Sequence, residues 1–147
     1  MNTAELRPHN LDEKRLYQWL RLNVKEYGGH TERIENSIGS GMPDVMVIVR
    51  GVVYFVELKM FVKEDVLLRK MQYAWGMKHH KLGGRPMVLA WNMRQDRIVV
   101  WRFPLEVKVK GKYLAIQSEP SYSALRILEG GVDLSQIFPF TIEKNSV

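Results

Sequence analysis

The stretch from Gly39 to Lys59 constrains this chain more than any other. It reads Gly-Ser-Gly-Met-Pro-Asp, five strand formers Val45 to Val49, Arg50-Gly51, then Val-Val-Tyr-Phe-Val-Glu-Leu-Lys. Two apolar runs separated by a glycine-containing pair form an antiparallel hairpin with a two-residue turn. With Arg50-Gly51 as that turn, Val49 faces Val52 and every later pairing is fixed, so Asp44 falls directly opposite Glu57. Opposed residues on one face have Cβ atoms about 4.5–5.5 Å apart. Two carboxylates that close repel each other unless a cation lies between them or one is protonated. Lys59 follows Glu57 by two residues, and the strand period returns its amine to the same face.

The remainder of the hairpin has a different character. Val45 to Val49 and Val52 to Val56 are apolar or aromatic on both faces, as in strands covered from both sides. A charged cluster at the end of such strands is costly to desolvate and calls for a partner or a use.

A chain of 147 residues with 46% hydrophobic residues is long enough for one domain with a substantial core, residues 1–147. No apolar run reaches membrane-spanning length and the polar start Met-Asn-Thr-Ala-Glu is unlike a signal peptide. A soluble intracellular protein with no membrane partner is therefore expected. The absence of cysteine excludes disulfides and thiolate sites, so a metal ion would be held by oxygen or imidazole. The net charge of +6 favours anionic partners, nucleic acid first among them. Its distribution is telling: residues 1–35 hold six basic and six acidic side chains, whereas 59–85 hold seven basic against Glu64 and Asp65.

In chain order, Asn10 precedes an amphipathic segment from Leu11 to about Tyr27 that stops at Gly28-Gly29. Glu13 lies on its apolar stripe with Leu16, Tyr17, Leu20 and Val24. It has two competing roles there, reciprocal capping of Asn10 and an inward carboxylate beside Asp44 and Glu57. A short strand is expected around Thr31–Ile34. Gly39, Gly41 and Pro43 give a tightly turned approach to Asp44, as where backbone must come close to a neighbour or adopt positive φ. A helix is expected from Glu64 to Leu82, with Leu67, Leu68, Met71, Trp75 and Leu82 as its core stripe and Gln72 beside it. Strands follow at Met87–Trp91 and Arg97–Phe103, then a hairpin around Gly111 with Val107 and Val109 inward and Lys108 and Lys110 outward. Ser121–Leu128 reads as a short helix. The tail carries Ile137, Phe138 and Phe140, suited to packing on the domain or on a second subunit.

Asp44 and Glu57 have the spacing and hardness to hold Mg²⁺ or Mn²⁺, with the Leu58 carbonyl between them as a further ligand. Such an ion acidifies a bound water, orients it and neutralises phosphoryl charge. Lys59 beside it can position the water, assist its deprotonation or stabilise the transition state.

The array Gly41-Met42-Pro43-Asp44, then Glu57-Leu58-Lys59 thirteen residues after the aspartate, then Gln72, resembles the PD-(D/E)xK nuclease superfamily. Within it the chain is most similar to the small stand-alone VRR-NUC proteins of phages and bacteria, over roughly Asn10 to Trp101. The resemblance implies an α/β fold with a restriction-endonuclease-like core, a mixed sheet flanked by helices, with that core over about 10–103 and an extension over 104–147. It implies divalent-metal-dependent hydrolysis of DNA phosphodiester bonds, with Glu13, Asp44, Glu57 and Leu58 around the Mg²⁺ or Mn²⁺. Lys59 would serve the water or the transition state, and Gln72 would orient the groups around it. It also implies likeness to Holliday-junction resolvases, hence branched DNA as substrate and a homodimer as the working state, in the cytoplasm of a bacterium or phage-infected cell. Arg33, Lys63, Arg69, Lys70, Lys78 and Arg85 form the pool of DNA-backbone contacts.

Two rival readings keep the fold without the chemistry. One is a catalytically silent nucleic-acid-binding protein, the other a structural or inhibitory oligomer of phage type assembled through its tail. Among other candidates, the adjacent His79 and His80 point about 100° apart on a helix and suit one metal poorly. His30 is expected to face solvent and Trp91 and Trp101 to serve the core. Lys108, Lys110 and Lys112 make a second basic surface.

Overall fold

The computed structural model describes residues 10–34, 40–63, 65–126 and 131–139. In chain order the elements are α1 (Asn10–Glu26), β1 (Gly29–Arg33), β2 (Val45–Val49), β3 (Val52–Phe61), β4 (Leu67–Arg69), α2 (Lys70–Lys81), β5 (Pro86–Asn92), β6 (Arg97–Arg102), β7 (Val107–Lys110), β8 (Tyr113–Ile116), β9 (Tyr122–Leu125) and α3 (Leu134–Ile137).

The hairpin sets the architecture. Val49 pairs with Val52 and Val45 with Val56, the register that a two-residue turn demands. Arg50 and Gly51 both have positive φ, 51° and 81°, the backbone whose twist matches that of the flanking strands. β1 adds to the outer edge of β2. β3 is twice as long as β2 and runs past its end, pairing in parallel with β5 from Phe55–Pro86 to Phe61–Asn92. β6 and then β9 extend the sheet antiparallel, giving the mixed order β1-β2-β3-β5-β6-β9. β4, β8 and β7 form a separate small sheet in that order.

Each face of the main sheet has its own core. Leu16, Leu20 and Val24, one stripe of α1, pack with Val45, Val47, Val49, Tyr54, Val56, Leu58 and Leu89. Ile137 and Phe138 join the same cluster and are fully buried, each burial of this kind contributing roughly 1.5–3 kcal/mol. On the other face Val88, Ala90, Val99, Trp101 and Phe103 meet Leu68 and Ile116, with Tyr73 and Met77 of α2 packed against them. α2 comes close through Gly76, where an added Cβ would lie 2.2 Å from the Phe103 ring.

Several local expectations change. Residues 67–69 are a strand paired with Tyr113–Ala115, so the helix begins at Lys70 rather than near Glu64, which lies outside the described residues. Leu68 is still buried, but from a strand, while Met71 and Leu82, expected in the core stripe, are 52% and 74% exposed. The buried positions of α2 are Gln72 and Gly76, because residues before Lys70 are taken by a strand and the helix proper presents a different face. Ser121–Leu128 is not a helix: Tyr122–Leu125 forms β9 on the open edge of β6, and Leu128 lies outside the described residues. Val109 is 66% exposed rather than inward, because β7 is an edge strand with cover on one side only. The tail packs into the core through Ile137 and Phe138, and Phe140 lies outside the described residues. Among the described residues, no helix is long and apolar enough to cross a membrane.

Candidate active site

The β2–β3 ladder ends at Val45–Val56, and Asp44 stands one step beyond it. Its carbonyl accepts from the Ile34 N–H at 2.8 Å and its Oδ2 accepts from the Leu58 N–H at 2.9 Å. That second bond shows that Leu58 directs its backbone groups toward the β2 edge where β2 has stopped, since N–H and C=O of one strand residue share a side. The approach loop is fixed by Gly41, with φ +77° and a position where a Cβ would lie 2.3 Å from the Met71 carbonyl oxygen. No other residue fits there, so the loop before Asp44 is seated directly on the first turn of α2.

Glu57 and Lys59 lie on the α2-facing side of β3. Glu57 is buried. Gln72 joins the two: its Nε2 donates to Glu57 Oε2 at 2.7 Å and its Oε1 accepts from Lys59 Nζ at 3.1 Å. The same Oε1 accepts the Arg69 backbone N–H at 2.9 Å, which satisfies an orphan donor at the start of α2. Lys59 Nζ is 3.6 Å from Glu57 Oε2. Gln72 thus closes the helix start and orders the polar cluster with one amide.

Burial, and then the charge of Asp44, push the Glu57 carboxyl up to about 8, and Lys59 and Arg69 offset only part of this. A buried acid held protonated by a neighbouring acid is a pair short of positive charge. Two carboxylates with a free strand edge between them form an all-oxygen donor set of the kind hard divalent cations select, so the residues fit Mg²⁺ or Mn²⁺.

α1 packs on the opposite face of the sheet from Gln72, and Glu13 Oε1 is 3.4 Å from Arg33 Nη2. The Arg33 guanidinium in turn lies 4.8 Å from the centroid of the Tyr17 ring. Glu13, Tyr17, Arg33 and Asp44 line one open cleft of about 650 Å³. Among the described residues, no three His, Cys, Asp or Glu side chains converge tightly enough to share an ion. Of the three acids expected around the ion, Glu13 shares an open cleft with Asp44, while Glu57 is held by Gln72 on the α2-facing side. The side chain of Asn10, the expected capping partner of Glu13, lies outside the described residues.

The other candidates scatter. Arg69 and Lys70 are exposed at the start of α2, beside Gln72, with Lys63 exposed at the end of β3 and Lys78 two turns along α2. Arg85 instead lines a separate cleft with His80 and Arg102. His79 stacks on Trp75 with ring centroids 3.5 Å apart, so the two adjacent histidines share no site. His30 pairs with Glu32 at 2.7 Å on exposed β1. Trp101 is a core residue whose indole donates to the Ser118 carbonyl. Lys110 pairs with Asp65. Tyr17 was legible only as a core residue; its second role under Arg33 depends on the long-range meeting of α1 and β1.

The fold is restriction-endonuclease-like. A solved structure of Hjc, a Holliday junction resolvase from the archaeal hyperthermophile Archaeoglobus fulgidus, matches with a TM-score of 0.55 at 15% sequence identity, covering 69% of this chain and 84% of that one. No protein-family model and no curated protein matches the sequence. The likeness bears out the fold class that the motif resemblance implied.

Proposed function

We propose that this chain is a divalent-metal-dependent deoxyribonuclease of VRR-NUC type that hydrolyses phosphodiester bonds, with selectivity for branched DNA. The observation that carries the reading is the polar cluster at the end of the hairpin: Glu57 and the amine of Lys59 tied together by the single amide of Gln72, with Asp44 held beside them on the Leu58 N–H and its charge felt by Glu57. A structural ion pair does not need two acids side by side, and burying them lowers stability unless a cation joins them.

Asp44, Glu57 and the Leu58 carbonyl would hold Mg²⁺ or Mn²⁺, which supplies Lewis acidity toward a phosphoryl oxygen and the attacking water. Lys59 directs positive charge at the oxygens that gain negative charge as the phosphorus is attacked. Gln72 keeps Glu57 and Lys59 at fixed separation, so the site does not reorganise during reaction. Glu13 and Arg33 form the cleft wall beyond Asp44, where Arg33 contacts a phosphate and Glu13 sets how firmly it is held. Arg69, Lys70 and Lys63 surround the opening and position backbone without reading bases. Likeness in fold to a Holliday junction resolvase supports branched DNA as the substrate class. The exposed apolar side chain of Met71, beside Gln72 and against the Gly41 loop, supports a homodimer that sedimentation would test.

The decisive assay incubates the protein with junction, flap, single-stranded and duplex DNA in Mg²⁺ or Mn²⁺ beside Asp44→Ala. Cleavage by the parent alone is expected. Equal cleavage by both sinks the mechanism, and binding without cleavage by either promotes the silent nucleic-acid-binding reading.

A further inference from the structure

A second cleft, of about 710 Å³, lies on the other flank of α1, within the size range of about 300–1,000 Å³ that ligand sites occupy. Trp19 and Trp91 are partly buried in it, and Lys14, Arg15 and Arg126 supply its charge. Among the described residues, no acid lines it. The Arg126 guanidinium lies 5.4 Å from the Trp91 ring centroid. Asp96 fixes both partners, accepting from Arg126 Nε at 2.7 Å and from Trp91 Nε1 at 2.9 Å. The result is an indole and a guanidinium plane locked in place before any ligand arrives. Hydrogen bonds to Arg126 and to the indole keep the Asp96 carboxyl below the usual carboxylate range despite its burial.

Lys14 and Gln18 line this cleft and also the one that holds Glu13 and Asp44. They form a ridge on the outer side of α1, with the cleft of Glu13, Arg33 and Asp44 on one flank and the tryptophans on the other. Trp91 pairs with Met60, three residues beyond Glu57 on β3 and one strand over. From strand spacing and rise, the Trp91 backbone is roughly 14 Å from that of Asp44, well inside one duplex turn of about 34 Å.

We propose that this cleft receives an unpaired nucleotide of the DNA substrate, its base stacked against Trp91 and Trp19 and its phosphate met by Lys14 and Arg15. The inference rests on the nuclease reading for its biological sense but not for its test. Fully paired DNA has no free base to offer, so the cleft favours substrates with an unstacked nucleotide near the cut. Arginine planes and indoles are the groups that stack bases without sequence preference, and the rim cations match a phosphate in sign.

The test measures fluorescence anisotropy of the full chain in EDTA with two fluorescein-labelled probes, a twelve-nucleotide oligothymidylate and a blunt duplex of the same length. Trp91→Leu is expected to weaken the oligothymidylate about tenfold and the duplex less than twofold, while Trp91→Phe retains most of the affinity. Lys14→Glu with Arg15→Glu, both on the exposed side of α1, is expected to shift the same ratio in the same direction and decides the matter where Trp91→Leu melts early. An unchanged ratio in the folded variants overturns the proposal. Displacement of the oligonucleotide by thymidine monophosphate at equal phosphate concentration overturns the strand assignment in favour of a free-nucleotide pocket. Because no cleavage is read, an Asp44→Ala variant that cuts like the parent removes the nuclease reading without altering these outcomes.

Discussion

The two faces of β3 do different work over the same few residues. Tyr54, Val56 and Leu58 point into the α1 core and are buried among aliphatic side chains. Glu57 and Lys59, interleaved with them, point toward α2 and are bound by Gln72. Period-two alternation lets adjacent residues serve the fold and the chemistry without sharing an environment. The apolar face stabilises by burial. The polar face costs stability, because burial and Asp44 hold Glu57 protonated up to about pH 8. This predicts opposite responses to substitution at neighbouring positions.

The largest expected effect is on the polar side. Asp44→Ala should lower cleavage by on the order of 10³-fold with the circular dichroism of the parent retained, and a similar loss of fold and activity would merge the two faces. Next comes Leu58→Ala, between Glu57 and Lys59 but 2% exposed on the other face. It should cost about 2–5 kcal/mol of stability in urea while activity per folded molecule falls far less than in Asp44→Ala.

Third is Glu57→Gln, which should abolish cleavage yet raise the melting temperature of the metal-free protein at pH 9. The sign follows from linkage. The folded carboxyl binds its proton up to about 8, against an ordinary value of 4.5, so between those pH values the native state holds more protons than the unfolded one. Metal-free stability of the parent therefore falls as pH rises from about 4.5 to 8 and then levels, by up to a few kcal/mol. The Gln variant lacks that slope. Calorimetry of Mg²⁺ binding should also show proton release at pH 6 that fades above pH 8. A parent whose stability is flat across this range would remove the electrostatic contrast between the faces.

How much of this is legible in the sequence depends on how local the cause is. The Arg50-Gly51 turn sets the register of β2 and β3 from two residues, so the approach of Asp44 to Glu57 follows without knowledge of the rest. Gly41 likewise announces a close approach, although only the fold shows that its neighbour is Met71. Where the cause is distant, the reading fails. Ser-Tyr-Ser-Ala-Leu has a serine cap and a glycine stop in sight and reads as a helix, but the free edge of β6 takes Tyr122–Leu125 as a strand. Leu67–Arg69 extends a helical pattern until β8 captures it, which moves the helix start to Lys70 and makes Gln72, not Met71, the buried residue. The surroundings of Glu13 are hidden for the same reason, since helix periodicity places it on the inner stripe but cannot say that Arg33 and Asp44 share its cleft.

Arg33→Ala tests that last point and carries the smallest expected effect. Arg33 and Glu13 are each about one third exposed, so their ion pair contributes less than about 1 kcal/mol to stability, and the melting temperature should barely move. Two other readouts should. If Arg33 contacts a phosphate, the dependence of DNA affinity on salt should lose about one unit of slope. Removing the guanidinium also leaves Glu13 and Asp44 facing one cation fewer, with Lys14 remaining on the same cleft, which should tighten Mg²⁺ binding slightly as DNA binding weakens. Glu13→Gln should do the reverse. If both variants weaken Mg²⁺ binding together, Glu13 reaches the ion directly when DNA is absent, and the division between the close acid pair and the cleft wall has to be redrawn.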